Sequence, residues 1–157
     1  MATHSEGVIR EALSDTSGNT LVIVLAQDGG LIKYAEIDTP LVLDFDCSAE
    51  ICYQAFHHAS HDYHNALYGY IEAEGWLPDY KNWLTTRNGG VLPEVSYIKE
   101  RRDKTTFNQN VIMSEKIRHM IHHPENRHNG DISEPDLEKS ISDMRTFIQS
   151  KQAPAIP

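Results

Sequence analysis

The sequence predicts a mainly α-helical bundle with a small β-hairpin near its N-terminus. Two observations carry that reading. Apolar residues recur at helical spacing through 48–74, 108–123 and 133–150. β-Branched residues instead crowd into two short runs either side of Gln27-Asp28-Gly29-Gly30. A chain of 157 residues suits one domain, here 1–152, made of an N-terminal α/β element at 1–47 and a helical bundle at 48–152, with a frayed, disordered tail at 153–157.

The elements follow in order. Residues 7–14 predict a short helix, closed by the turn-rich Ser14–Asn19. Leu21–Ala26 and Leu31–Ile37 are the hairpin strands, and Leu41–Phe45, after Pro40, is a third candidate strand. Over 20–45 a helical reading stays open, because short apolar runs fit either element. Residues 48–74 predict one long helix capped by Ser48. Its stripe is Cys52, Phe56, Ala59, Tyr63, Ala66, Leu67 and Tyr70, and Gly75 ends it. Trp76–Asp79 is a turn leading to a short helix with Trp83 and Leu84, and Asn88-Gly89-Gly90 is a loop. Residues 93–104 predict a helix with Val95 and Ile98 inward. The helix 108–123 turns Met113, Ile117, Met120 and Ile121 to the core. After a polar connector, Ser133 caps a final helix, with Pro135 in its first turn and Leu137, Ile141, Met144 and Ile148 as its stripe.

No apolar run approaches the length that crosses a bilayer, and the N-terminus lacks a signal-peptide pattern, so a cytoplasmic protein is expected. Cys47 and Cys52 read as reduced thiols. A net charge of -9 argues against a broad nucleic-acid-coating surface. The charge is uneven, however. Half of all Lys and Arg falls within 99–128 (Lys99, Arg101, Arg102, Lys104, Lys116, Arg118 and Arg127), against four acids. That segment reads either as a solvated face or as a local anion-binding patch.

Within it lies Arg118-His119-Met120-Ile121-His122-His123, stopped by Pro124. RNA cleavage needs a base for the 2′-hydroxyl, an acid for the leaving oxygen and positive charge on the phosphorane. Histidine supplies the first two and arginine the third, with no cofactor. Lys116 through Pro124, followed by a polar loop and the capped helix 133–150, resembles the C-terminal half of HEPN domains. These are small helical bundles common in toxin and abortive-infection systems, and many are metal-independent endoribonucleases. The resemblance implies that Arg118 holds the phosphate and His123 moves the proton. His119 would assist, from a position more often Asn or Asp in the family. It also implies a homodimer with two motifs in one cleft, RNA as ligand, and an antitoxin or defence-system partner. Lys116, His122, Arg127, Arg101 and Arg102 are the candidates for gripping RNA.

A second cluster competes. His57, His61 and His64 fall within about 60° of arc on one uninterrupted helix, and the i, i+4 pair is a workable metal chelate. A third ligand could come from Asp62, His119 or His123. DinB-type bundle hydrolases are loosely similar, although Pro124 departs from their pattern. A non-enzymatic adaptor is the remaining class. The chain carries no Walker-type phosphate loop and no Gly-x-Ser-x-Gly elbow.

Overall fold

The computed structural model describes residues 22–28, 31–37, 41–43 and 47–153. Helix predominates, with small antiparallel sheets beside it. The predicted helix at 7–14 and the tail 154–157 lie outside the described residues. Internal contacts divide the chain into two units, Met1–Tyr63 and His64–Pro157. The boundary falls inside a helix.

In the first unit, β1 (Val22–Asp28) pairs with β2 (Leu31–Ile37) in the register Asp28↔Leu31 to Val22↔Ile37. Over 22–28 and 31–37 the hairpin reading therefore prevails over the helical one. Residues 41–43 form no strand, and the rest of that candidate strand lies outside the described residues. Helix α1 (Ser48–Phe56) buries Ile51 and Ala55. Its Glu50 is buried yet well supplied. Its side chain accepts the N–H of Val42 (2.8 Å) and Leu43 (3.2 Å) and the Tyr63 hydroxyl (3.1 Å), so the polar group leaves water without losing its hydrogen bonds.

The long helix expected over 48–74 is two helices. His57 turns left-handed (φ 52°, ψ 34°), and its N–H closes on the Tyr53 carbonyl. Ser60 then caps α2 (His61–Ala73) by accepting the Tyr63 N–H at 3.2 Å. Phe56, expected in the stripe, is therefore exposed at the first helix's end. Gly75 (φ 69°) closes α2. Its N–H bonds Glu72 O while Trp76 N–H bonds Ile71 O, the double closure that a left-handed glycine permits.

The second unit continues with α3 (Leu77–Arg87), which begins two residues before the expected Asp79 because Pro78 fits a first turn. Trp76, Tyr80 and Trp83 surround Phe147 at ring separations of 6.3, 5.2 and 6.0 Å and close the core at this end of the unit.

The helix expected over 93–104 is instead strand β3 (Glu94–Glu100), paired with β4 (Thr106–Ile112) from Glu94↔Ile112 to Glu100↔Thr106. Val95, Tyr97 and Lys99 alternate to one face, a period of two that the helical reading overlooked. Asp103 builds the turn. Its carboxylate accepts the Thr105 N–H (3.0 Å) and hydroxyl (2.6 Å), and Lys104 takes a left-handed φ of 66°. The next helix, expected from 108, starts only at Met113: α4 runs Met113–His122. Along β3, the side-chain amides of Asn126 and Asn129 clasp the outward backbone of Ile98. Asn129 Oδ1 accepts its N–H (2.7 Å), and both Nδ2 groups donate to its carbonyl (2.8 and 2.9 Å). Helix α5 (Glu134–Gln152) is as expected. Ser133 Oγ accepts the Asp136 N–H, and Leu137, Ile141, Met144 and Ile148 are all buried.

Candidate functional site: a basic cleft beside α4

Four-residue spacing sorts the polar side chains of α4 into two strips. Arg118 and His122 share one, His119 and His123 the other. Arg118 and His123 are five apart, so on a regular helix their side chains leave about 140° from each other. The structure shows the consequence. Arg118 turns onto α2, with its guanidinium 2.9 Å from Glu72 Oε2 and 4.9 Å above the Tyr68 ring. A side chain at Gly69 would meet the same guanidinium at 3.9 Å.

His119 and His123 face the other way, onto a cleft of about 490 Å³ against the β3–β4 hairpin. His119 stacks on Tyr97, ring centroids 5.1 Å apart at 25°. Burial of its ring, the largest influence, moves its pKa below the ordinary histidine value. Glu115 opposes the shift, while Lys99, His123 and Arg118 add to it. His123 is exposed, with Nδ1 3.1 Å from Glu125. That carboxylate sits low, first through its own backbone N–H and then through His123.

Lys99, Arg101, Arg102 and Lys104 supply positive charge along the hairpin side of the cleft. Arg101 lies 4.9 Å over Phe107. Two carboxylates, Glu100 and Glu125, interrupt the basic wall. Lys104 (2.6 Å) and His128 (3.0 Å) hold Glu100, and both lower its pKa, so it remains ionised. Lysine and arginine side chains alone outnumber the carboxylates in the cleft.

Of the residues expected from sequence, the cleft gathers His119, His123, Arg101 and Arg102. Arg118, Lys116, His122 and Arg127 are not among its lining residues. Tyr97, Lys99, Lys104 and Asn126 are additions. The alternation Val95-Tyr97-Lys99 is the signal that would have placed Tyr97 and Lys99 on one strand face.

The metal-site alternative gains no support among the described residues. The left-handed turn at His57 takes that residue out of the helical repeat. His64 is fully buried, with Nε2 3.0 Å from Ser140 Oγ. Among the described residues no three His, Cys, Asp or Glu side chains gather as a metal-holding group. Among those residues, too, no helix is long and apolar enough to cross a membrane. No protein-family model, curated protein or solved structure matches this chain.

Proposed function

We propose that the second unit binds RNA in the basic cleft and cleaves it without metal, as a HEPN-like endoribonuclease of a toxin or phage-defence system. The supporting observation is the convergence of two histidines with four cationic side chains on one concavity of an otherwise acidic chain. Electrostatic attraction draws the phosphates, and the histidines do the proton work.

His119, neutral at physiological pH because its pKa is depressed, removes the 2′-hydroxyl proton. The 2′-oxygen attacks phosphorus and forms a cyclic phosphate as the P–O5′ bond breaks. His123 gives its proton to the leaving 5′-oxygen. Lys99 and Arg102 stabilise the charge that grows on the phosphorane. Arg118, engaged by Glu72 and Tyr68, acts as a positioning residue that sets the roll of α4. Homodimer formation belongs to this proposal, as does an antitoxin or defence-system partner.

The experiment is cleavage of a labelled RNA in chelator. His119→Ala and His123→Ala should each slow it by at least about a hundredfold while leaving the fold intact, the scale of lost acid–base catalysis. Undiminished cleavage in both variants ends the nuclease assignment. RNA retained but left whole by the native chain assigns a binding module instead, a reading favoured by the Glu125–His123 pairing.

A further inference from the structure

The two lateral edges of the β3–β4 hairpin differ. On β3, the backbone of Ile98 points outward to the side chains of Asn126 and Asn129. The residue opposite it is Asn108. In an antiparallel ladder, opposed residues either exchange hydrogen bonds or both turn outward. Ile98 and Asn108 are therefore an outward pair. The Arg101 N–H bonds the Thr105 carbonyl at 2.8 Å, which fixes the same alternation from the turn. On β4 the outward backbone groups are thus those of Thr106, Asn108, Asn110 and Ile112. Among the described residues no strand other than β3 pairs with β4.

Natural sheets blunt open edges with charge, proline or a bulge. β3 carries Glu94, Lys99 and Glu100. β4 reads Thr-Phe-Asn-Gln-Asn-Val-Ile, with no charged residue, no proline and an unbroken register. Its Thr106, Phe107, Asn108 and Asn110 are exposed. The order is also nearly the same in both directions about Gln109. Asparagines flank it, Phe107 and Val111 come next, and β-branched Thr106 and Ile112 stand at the ends. Such a strand complements itself when antiparallel. The charges beyond it match as well. Antiparallel order brings Arg101 and Arg102, in the turn of one copy, to the same end of a joint sheet as the exposed Glu94 of the other.

We propose that β4 is the interface between two copies of this chain, paired antiparallel across a two-fold axis at Gln109. The backbone groups of Asn108 bond those of the partner's Asn110, and those of Asn110 bond the partner's Asn108. Gln109 lies opposite the partner's Gln109. Phe107 lies opposite the partner's Val111, an aromatic and β-branched pair of the kind that stabilises sheets. The joint sheet runs β3–β4–β4–β3. Its axis stands perpendicular to the sheet, so Tyr97 and Lys99 of both copies lie on one face, and both basic clefts open there. The inference gives a surface to the homodimer named above and rests on that part of the reading alone. Its test contains no RNA, so its failure and that of the cleavage assay are told apart.

The test follows the mass of the full-length chain by sedimentation across concentration, with amide hydrogen exchange at both ends of the range. The native chain should pass from monomer to dimer, and exchange at Asn108 and Asn110 should slow as it does. Gln109→Lys and Gln109→Glu each set like charges directly opposite, so each should weaken the dimer at least about tenfold at low salt. Mixed in equal amounts, the two variants should form a heterodimer about as tight as the native dimer, which misfolding of either could not produce. A chain that stays monomeric up to about 1 mM leaves the edge to some other extended segment and overturns the proposal. So does a dimer whose Asn108 and Asn110 amides stay unprotected, one that both charged variants form as readily as the native chain, or a mixture without heterodimer.

Discussion

The two faces of α4 carry similar side chains and do opposite work. On one, Arg118 is spent on Glu72 and Tyr68, and its positive charge is answered within the fold. On the other, His119 and His123 look into a cleft whose cations exceed its carboxylates. About 100–140° around one helix axis thus separates a structural cation from chemically available imidazoles. Residue type alone does not make a phosphate ligand; the partner across the groove decides.

The largest effect that would sharpen this contrast lies on the open face. Lys99→Ala combined with Arg102→Ala should weaken single-stranded RNA binding by about tenfold or more at low salt. It should also flatten the plot of log affinity against log salt by about 1.4, two phosphate contacts' worth. An unchanged slope would place the RNA elsewhere.

Arg118→Ala comes next. It removes a half-exposed ion pair and a guanidinium–ring contact, so it should cost about 1–2 kcal/mol, read as a fall of several degrees in Tm. The salt slope of RNA binding should not move. A lowered slope with an unchanged Tm would reverse the comparison and make Arg118 a phosphate ligand.

The smallest effect is in pH. A histidine with a depressed folded pKa contributes stability that is fully present above its unfolded value of about 6.5 and is lost as pH falls through the folded value. If His119 is the base, the acid limb of the cleavage rate should likewise lie below about 6.5. Thermal melts and rates collected between pH 4.5 and 8 (about the span over which histidine titrates) check both. An acid limb above 6.5 would remove His119 from that role.

Some of this was legible in the sequence for identifiable reasons. Helix α5 announces itself through Ser133, Pro135 and an unbroken stripe, all of which act locally. The His119–His123 spacing likewise shows that two imidazoles share a strip. The break between α1 and α2 was hidden because the apolar rhythm from Cys52 to Tyr70 resumes nearly in phase after it. Ser60 and Asp62, a cap and a first-turn acid, were the overlooked marks. The hairpin β3–β4 is hard to read because Val111 and Ile112 extend the apolar spacing of α4 backwards, and its turn rests on a side-chain contact of Asp103 that apolar spacing does not register. The orientation of Arg118 was illegible for a deeper reason. It depends on Glu72 and Tyr68, more than forty positions away, and spacing within one helix carries no record of them.

The asparagine clasp on Ile98 has a consequence for assembly. A two-stranded sheet offers two lateral rows of backbone groups to any extended chain. On β3, amides from 126 and 129 already occupy the donor and acceptor at the middle of that row, standing in for a third strand. Copies of this protein are thereby discouraged from zipping together along β3, and a pair formed through the hairpin would join by way of β4.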